Sequence, residues 1–253
     1  MALLLEHTIE PPSTCGYLPD RQSSLEQRVM KDVSPEEYEW LLVRGWRRFG
    51  PLYFRPACRT CMECVSLRIP VATFQPNRSQ RRARAACAHL RVEVGKPRVD
   101  EERLALYRRW HAEREQAREW NASPLSARDY FLQFAFPHPS GREVAYYDDA
   151  APGGPKLVGL GLCDETPNIW SAVYFFYDPA YARASPGTAN VVFQVELARA
   201  RGLPHVYLGY RVLECASLRY KASFRPHELL EGRPGLDETP RWSAPPAPEA
   251  PEP

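Results

Sequence analysis

Three cysteines, Cys58, Cys61 and Cys64, stand at C-x-x-C-x-x-C spacing just upstream of the arginine cluster NRSQRRAR. Thiolates at this spacing can surround one soft cation, so the run constrains the local chain to a tight, ligand-organised turn. Cys15, in TCGYLPDR, is the natural fourth donor, and four thiolates suit zinc or an iron–sulfur cluster. The simpler alternative is that these are small buried residues. Downstream, Arg78, Arg81 and Arg82 would share a helix face by their i, i+3, i+4 relation. With no Asp or Glu inside the cluster, these guanidinium forks suit phosphate or carboxylate better than a merely solvated face.

Formal net charge over the 253 residues is only +2, so any nucleic-acid surface must come from such local clustering. No apolar run reaches the roughly 18 residues of a membrane span. MALLLEHTIE lacks the basic leader of a signal peptide, so a cytoplasmic protein is expected. Seven cysteines in a reducing compartment favour metal ligation or burial over disulfides. Cys87, Cys163 and Cys215 read as core residues.

Residues 1–12 read as a flexible lead-in and 243–253, rich in Pro, Ala and Glu, as a disordered tail. Ser34, Pro35 and Glu37 form a capping box that starts a helix closed by Gly45. Strands are predicted around 53–55 and 65–71. From Asp100 a long helix carries Leu104, Tyr107, Trp110 and His111 on one stripe, and a shorter helix spans 127–136. Strands at 143–147, 157–163 and 169–176, a helix at 189–201 and a strand at 205–210 follow. The expectation is an α+β fold, a mainly antiparallel sheet flanked by helices. It assigns 13–97 to a small cysteine-containing N-terminal domain and 98–242 to a second domain. The order helix–helix–three strands–helix–strand is that of acyl-transferases with a GNAT-type fold.

In the C-terminal half, a strand, the Gly187 turn and a helix start stand in series, an arrangement that can hold a pyrophosphate. A single glycine there is unfavourable for coenzyme A. Val191, Val192, Val195 and Leu197 fit a plain crossover helix; Gln194 and Glu196 among them do not. Tyr174, Tyr177, Tyr207 and Tyr210 read individually as half-buried sheet residues. RYKASFRPHELL adds Arg219, Lys221 and Arg225 as a second basic group, with His227 read as structural.

TCGYLPDR, GWRRFG, YFRP with its three cysteines, FQPNRSQRR, SAVYFFYDP, GLPHVYLGY and YKASFRPHELL together occur in the order seen in aminoacyl-tRNA–protein transferases. The chain resembles the arginyl-transferase family, especially its bacterial aspartate/glutamate leucyltransferase branch, from about Cys15 to Trp242. The resemblance implies transfer of leucine or arginine from aminoacyl-tRNA to the N-terminal amine of proteins beginning with Asp or Glu, marking them for N-degron degradation. It also implies a GNAT-like catalytic half without coenzyme A. Leu18 replaces a second cysteine found in eukaryotic members, and Tyr210-Arg211 stands where bacterial members read Tyr-Trp, leaving the donor open between leucine and arginine. On this footing Gln194, Glu196, Tyr174 and Tyr207 are expected to frame the reacting centre, with Tyr210 and Lys221 binding substrate. Arg78, Arg81 and Arg82, or else Arg225, would read the acidic acceptor or grip tRNA. A GNAT acetyltransferase using acetyl-coenzyme A and a zinc-dependent RNA-binding protein are the competing readings.

Overall fold

In the computed structural model, which describes residues 1–118 and 126–245, the chain begins with β1 (Leu3–Ile9), β2 (Ser13–Thr14), β3 (Gln22–Ser23) and β4 (Leu25–Lys31). It continues through α1 (Pro35–Leu42), β5 (Arg47–Phe49), β6 (Leu52–Pro56), β7 (Val65–Pro70), α2 (Arg78–Ala86) and β8 (Arg91–Gly95). Next come α3 (Glu101–Arg118), α4 (Ala127–Tyr130), β9 (Gly141–Asp148), β10 (Lys156–Glu165) and β11 (Ile169–Tyr177). The crossover α5 (Pro186–Ala200), then β12 (His205–Arg211), β13 (Glu228–Leu230) and β14 (Trp242–Ser243) complete it.

Eight strands form the main sheet in the order β14-β13-β7-β12-β11-β10-β9-β8. Every pair is antiparallel except β11–β12, which α5 connects in parallel. The mixed, mainly antiparallel sheet and the meander β9-β10-β11 match the sequence pattern. Residues 13–97 supply β7 and β8 to the sheet that 98–242 otherwise build. Leu67 and Ile69 of β7 share one core with Trp170 and Val206.

α5 and α2 cover one face, packing Val192, Val195 and Ala83 on Ile69 and Val206. On the other face α3 brings Leu104, Leu106 and Trp110 against Leu160 and Phe176. α1 brings Tyr38, Leu41 and Leu42 there against Ile169 and Tyr207. The expected capping box is present, Ser34 Oγ accepting from the Glu37 amide at 3.2 Å and Glu37 Oε2 from the Ser34 amide at 2.9 Å.

Two expectations are corrected. The lead-in is a strand: β1 pairs with β4 from Leu3–Lys31 to Ile9–Glu26. All seven of its side chains are exposed, so it is held by main-chain hydrogen bonds and offers no hydrophobic period to read. The expected tail begins inside a strand, since Ser243 pairs with Leu229 and the Trp242 indole donates to the Val43 carbonyl at 3.1 Å. Its residues 246–253 lie outside the described residues.

GWRRFG joins the four-stranded sheet β1-β4-β6-β5 to the main one. Gly50 has φ +53°, and a Cβ there would fall 1.8 Å from the Leu132 carbonyl oxygen, so only glycine fits. Side chains alternate along β5, sending Arg47 and Arg48 to opposite faces. Arg48 forms a buried ion pair with Asp164 of β10, whose other oxygen accepts from the Tyr38 hydroxyl at 3.0 Å.

His138 lies beside this pair. Its Nδ1 accepts from the Ser140 amide at 3.1 Å, and Nε2 is 2.9 Å from the Tyr53 hydroxyl. Burial first, then Arg48 and Lys96, push its pKa from 6.5 down to about 3. The unfolded chain therefore takes up this proton first. Stability is complete above the unfolded pKa and is lost as pH falls toward the folded one. Between about pH 6.5 and 5 the group should remove about 2 kcal/mol. Urea melts at those two pH values should show that loss, and His138→Gln should lack that part of it; an equal loss in both proteins would contradict the assignment.

Candidate functional site

The one parallel ladder of the sheet is short. β11 and β12 pair only through Ile169–His205, Trp170–Val206 and Ser171–Tyr207. Both strands continue, β11 on β10 and β12 on β7, but their facing edges have no ladder partner. Exposed main-chain donors and acceptors at the carboxyl end of parallel strands are where open sheets take ligands.

β12 bulges beside this opening, its register shifting between Tyr207 and Gly209. Gly209 has φ +77°, and a Cβ built on it would stand 3.5 Å from Lys221 Nζ and 3.7 Å from Arg47 Nε. Arg47 is 6% exposed. Its Nη1 donates to the Trp46 carbonyl at 3.2 Å, while Nε and Nη2 have no hydrogen-bond partner. The guanidinium carbon lies 5.6 Å from the ring centroids of both Tyr207 and Tyr210. Lys221, on a 3-10 turn (Arg219–Ser223), donates to the Tyr210 carbonyl at 3.0 Å. Burial first, then Arg47, lowers its pKa to about 7. Among the described residues no carboxylate pairs with either cation. Tyr210 is held beneath them by donating to the Gly45 carbonyl at 2.8 Å.

The four residues expected at the reacting centre do not converge. Tyr174 and Tyr207 lie on the α1/α3 face, in separate clusters. Tyr174 meets the His111 ring nitrogen at 3.0 Å, and Arg68 donates to the Tyr207 hydroxyl at 3.2 Å. Gln194 is on the opposite face and 1% exposed. Its carbonyl accepts from the Trp170 indole at 2.9 Å and its amide donates to Asn190 Oδ1 at 2.9 Å, which also accepts from the Tyr146 hydroxyl at 2.8 Å. A Cβ on Gly161 would sit 3.0 Å from that same Asn190 oxygen, so the glycine lets α5 approach the sheet. This network holds the crossover in place. Glu196, two residues on, turns outward and binds Arg84 at 2.9 Å, its side chain 44% exposed.

Arg78, Arg81 and Arg82 are exposed on α2, as is Arg225. Gln80 of α2 donates to the Ser223 carbonyl at 3.1 Å, which sets the start of this helix beside the turn carrying Lys221. Among the described residues none of these four arginines forms an ion pair. They present a solvent-facing basic surface.

Cys15 and Cys64 pack with Leu18, Val212 and Cys215. Burial first, then Cys58, Cys15 and Cys61, push the Cys64 thiol up to about 12, so the other three expected donors lie near Cys64. By donor type alone, thiolates suit a soft cation. Among the described residues no three His, Cys, Asp or Glu side chains are arranged as a metal cage. Arg233 braces the run through the Cys58 carbonyl at 2.7 Å and the Cys61 carbonyl at 2.5 Å.

Arg47 is the residue that the sequence reading passed over. Its only sequence signal is an arginine pair between Trp46 and Phe49, bracketed by Gly45 and Gly50; arginines are mostly exposed, so that pattern alone does not mark a buried guanidinium.

Comparison with known proteins identifies the family. The N-terminal and C-terminal models of arginine-tRNA-protein transferase match residues 13–82 and 102–231. An aspartate/glutamate leucyltransferase of Pseudomonas fluorescens is 40% identical over 225 residues, 87% of this chain and 91% of that protein. Proteins of the same name from Halorhodospira halophila and Helicobacter hepaticus are 37% and 32% identical, over 87% and 90% of this chain and 91% and 93% of theirs. These matches make the protein a transferase. The chain belongs to the arginine-tRNA-protein transferase family.

The contrast between Gln194 and Glu196 is testable. Gln194→Ala strands the Trp170 indole and should cost about 2–4 kcal/mol in a thermal or urea melt. Glu196→Gln loses only an exposed pair and should leave both stability and aminoacyl transfer within about twofold of wild type. Loss of transfer by Glu196→Gln at unchanged stability would instead make it a base.

Proposed function

We propose that this chain moves leucine from leucyl-tRNA onto the α-amine of proteins whose first residue is Asp or Glu. The observation that carries this reading is the family match across both halves of the chain, with relatives named for that specificity at up to 40% identity among those above. The product would enter N-degron degradation, and the reaction belongs in the cytoplasm, where tRNA is charged.

The chemistry needs little beyond placement. The ester of an aminoacyl-tRNA is already activated, and an α-amine of pKa about 7.7–8.0 has a neutral fraction near pH 7. The amine nitrogen attacks the ester carbonyl carbon, forming the new amide C–N bond. The ester C–O bond breaks, and the terminal ribose hydroxyl leaves with the proton that the amine gives up. Orientation and charge stabilisation account for most of such a barrier. In this reading the sheet is GNAT-like, and the aminoacyl group lies in the opening between β11 and β12. Tyr174 and Tyr207 stand on one of its faces, while the Trp170–Gln194–Asn190 network keeps the other rigid. The exposed Arg78, Arg81, Arg82 and Arg225 hold the tRNA by phosphate contacts. Cys15, Cys58, Cys61 and Cys64 would hold zinc or an iron–sulfur cluster, which when bound would lock this corner against β12.

One assay tests the reaction. The protein is incubated with tRNA charged with labelled leucine or arginine and with peptides beginning Asp, Glu or Lys. Label should pass from leucyl-tRNA to the Asp and Glu peptides; label kept on tightly bound tRNA would contradict the reading. Combining Arg78→Glu, Arg81→Glu and Arg82→Glu should weaken tRNA binding and flatten its log–log salt dependence by about two to three. An unchanged salt slope would remove α2 from the tRNA surface.

A further inference from the structure

We propose that Arg47 and Lys221, on either side of Gly209, are the residues that read the acidic side chain of the acceptor protein. This rests on the transfer reaction proposed above and assigns its acceptor specificity to an interior pocket, not to the arginines of α2.

The fold shows what it does with a buried guanidinium elsewhere. Arg103 turns its Nε and Nη2 edge onto Glu143, with Nε donating to the two carboxylate oxygens at 3.2 and 3.0 Å. Arg48 is matched by Asp164. Arg47 is the exception. Its Nη1 is pinned by the Trp46 carbonyl, so the free edge is the same Nε and Nη2 fork that grips Glu143 in the Arg103 pair. A buried, hydrogen-bond-ready charge with no counter-charge is costly to keep, and the missing partner is an acceptor with two oxygens.

Gly209 brings the two cations to one partner. A Cβ built on it would stand 3.5 Å from Lys221 Nζ and 3.7 Å from Arg47 Nε, so both cations face the same side of this glycine, close enough for one carboxylate to bridge them. Burial first, and then Arg47 beside it, lowers the basicity of Lys221. Neighbouring carboxylates are already used: Glu228 binds Arg68 at 2.6 Å and Glu214 binds Arg21 at 3.0 Å. A polynucleotide phosphate runs along a surface, whereas Arg47 is 6% exposed, so a short side-chain carboxylate is the better fit. Lys221 is half-buried, which puts the entrance on the side of its 3-10 turn. That turn adjoins the opening between β11 and β12, where the acceptor amine must meet the ester.

The test is steady-state transfer to an Asp-initial peptide, with aminoacyl-tRNA varied separately. Lys221→Met and Arg47→Lys should each raise KM for the peptide at least about thirtyfold, the effect of removing or misplacing one partner of a buried charge pair. Affinity for aminoacyl-tRNA and kcat should stay near wild type, and Lys221→Arg, which keeps the charge, should restore most of the peptide affinity. Thermal melts identify variants that fold, and Lys221→Met, on a half-exposed turn, is the conservative choice. Unchanged peptide KM in folded Lys221→Met, or loss of peptide and tRNA affinity together, overturns the proposal; the second result would mean that the pocket takes a tRNA phosphate. A wild-type protein that transfers nothing refutes the proposed reaction itself. Wild-type transfer with unaffected variants refutes only this pocket.

Discussion

The buried ion pair between Arg48 and Asp164 fixes where everything else can stand. It joins β5 of the small sheet to β10 of the large one, with Tyr38 of α1 donating to the same carboxylate. Removing one partner would leave a lone charge in a dry site, at a cost of about 3–5 kcal/mol. Because neighbours on a strand face opposite ways, fixing Arg48 also fixes Arg47, turned toward β12 and stacked on Tyr207 and Tyr210. Gly45 and Gly50 make the strand possible. Both have positive φ, and a Cβ on Gly50 would strike the Leu132 carbonyl. One three-residue strand therefore carries an arginine that holds the fold together and one left over for a ligand.

Around that strand the tasks separate by burial. Exposed arginines on α2 suit the long, solvated phosphate backbone of a tRNA, for which salt-dependent surface contacts are appropriate. The interior pair suits a short side chain, for which desolvation gives discrimination. Gln80, bonded to the Ser223 carbonyl, links the outer helix to the turn of the inner lysine. The cysteine run packs against Val212, just past the end of β12, so a bound cation would stiffen the same strand.

Much of the fold was legible. The capping box of α1, the three-strand meander and the crossover helix ending at Gly202 each follow from local chemistry that a linear pattern displays. β1 was not legible, because a strand with every side chain exposed has no hydrophobic period. Nor was the place of β7 between β12 and β13, since non-local pairing leaves no local mark. The site was legible as a set of residue types more than as an arrangement. Gln194 looked anomalous in an apolar helix and is so, but its amide is consumed by Trp170 and Asn190. Lys221 stands out in the sequence by its charge, yet its significance comes from a glycine twelve residues earlier and an arginine in another sheet. Arg47 and Arg48 are chemically identical in sequence; only the placement of Asp164 tells them apart.

The central claim is that acceptor choice is made inside, at β5 and β12, while tRNA is held outside on α2. A crystal structure of the protein with a bound Asp-initial dipeptide tests it most directly. The account predicts the side-chain carboxylate within hydrogen-bond distance of Arg47 Nε and Nη2 and of Lys221 Nζ, over Gly209. A carboxylate seated instead on Arg78, Arg81 or Arg82 would contradict it.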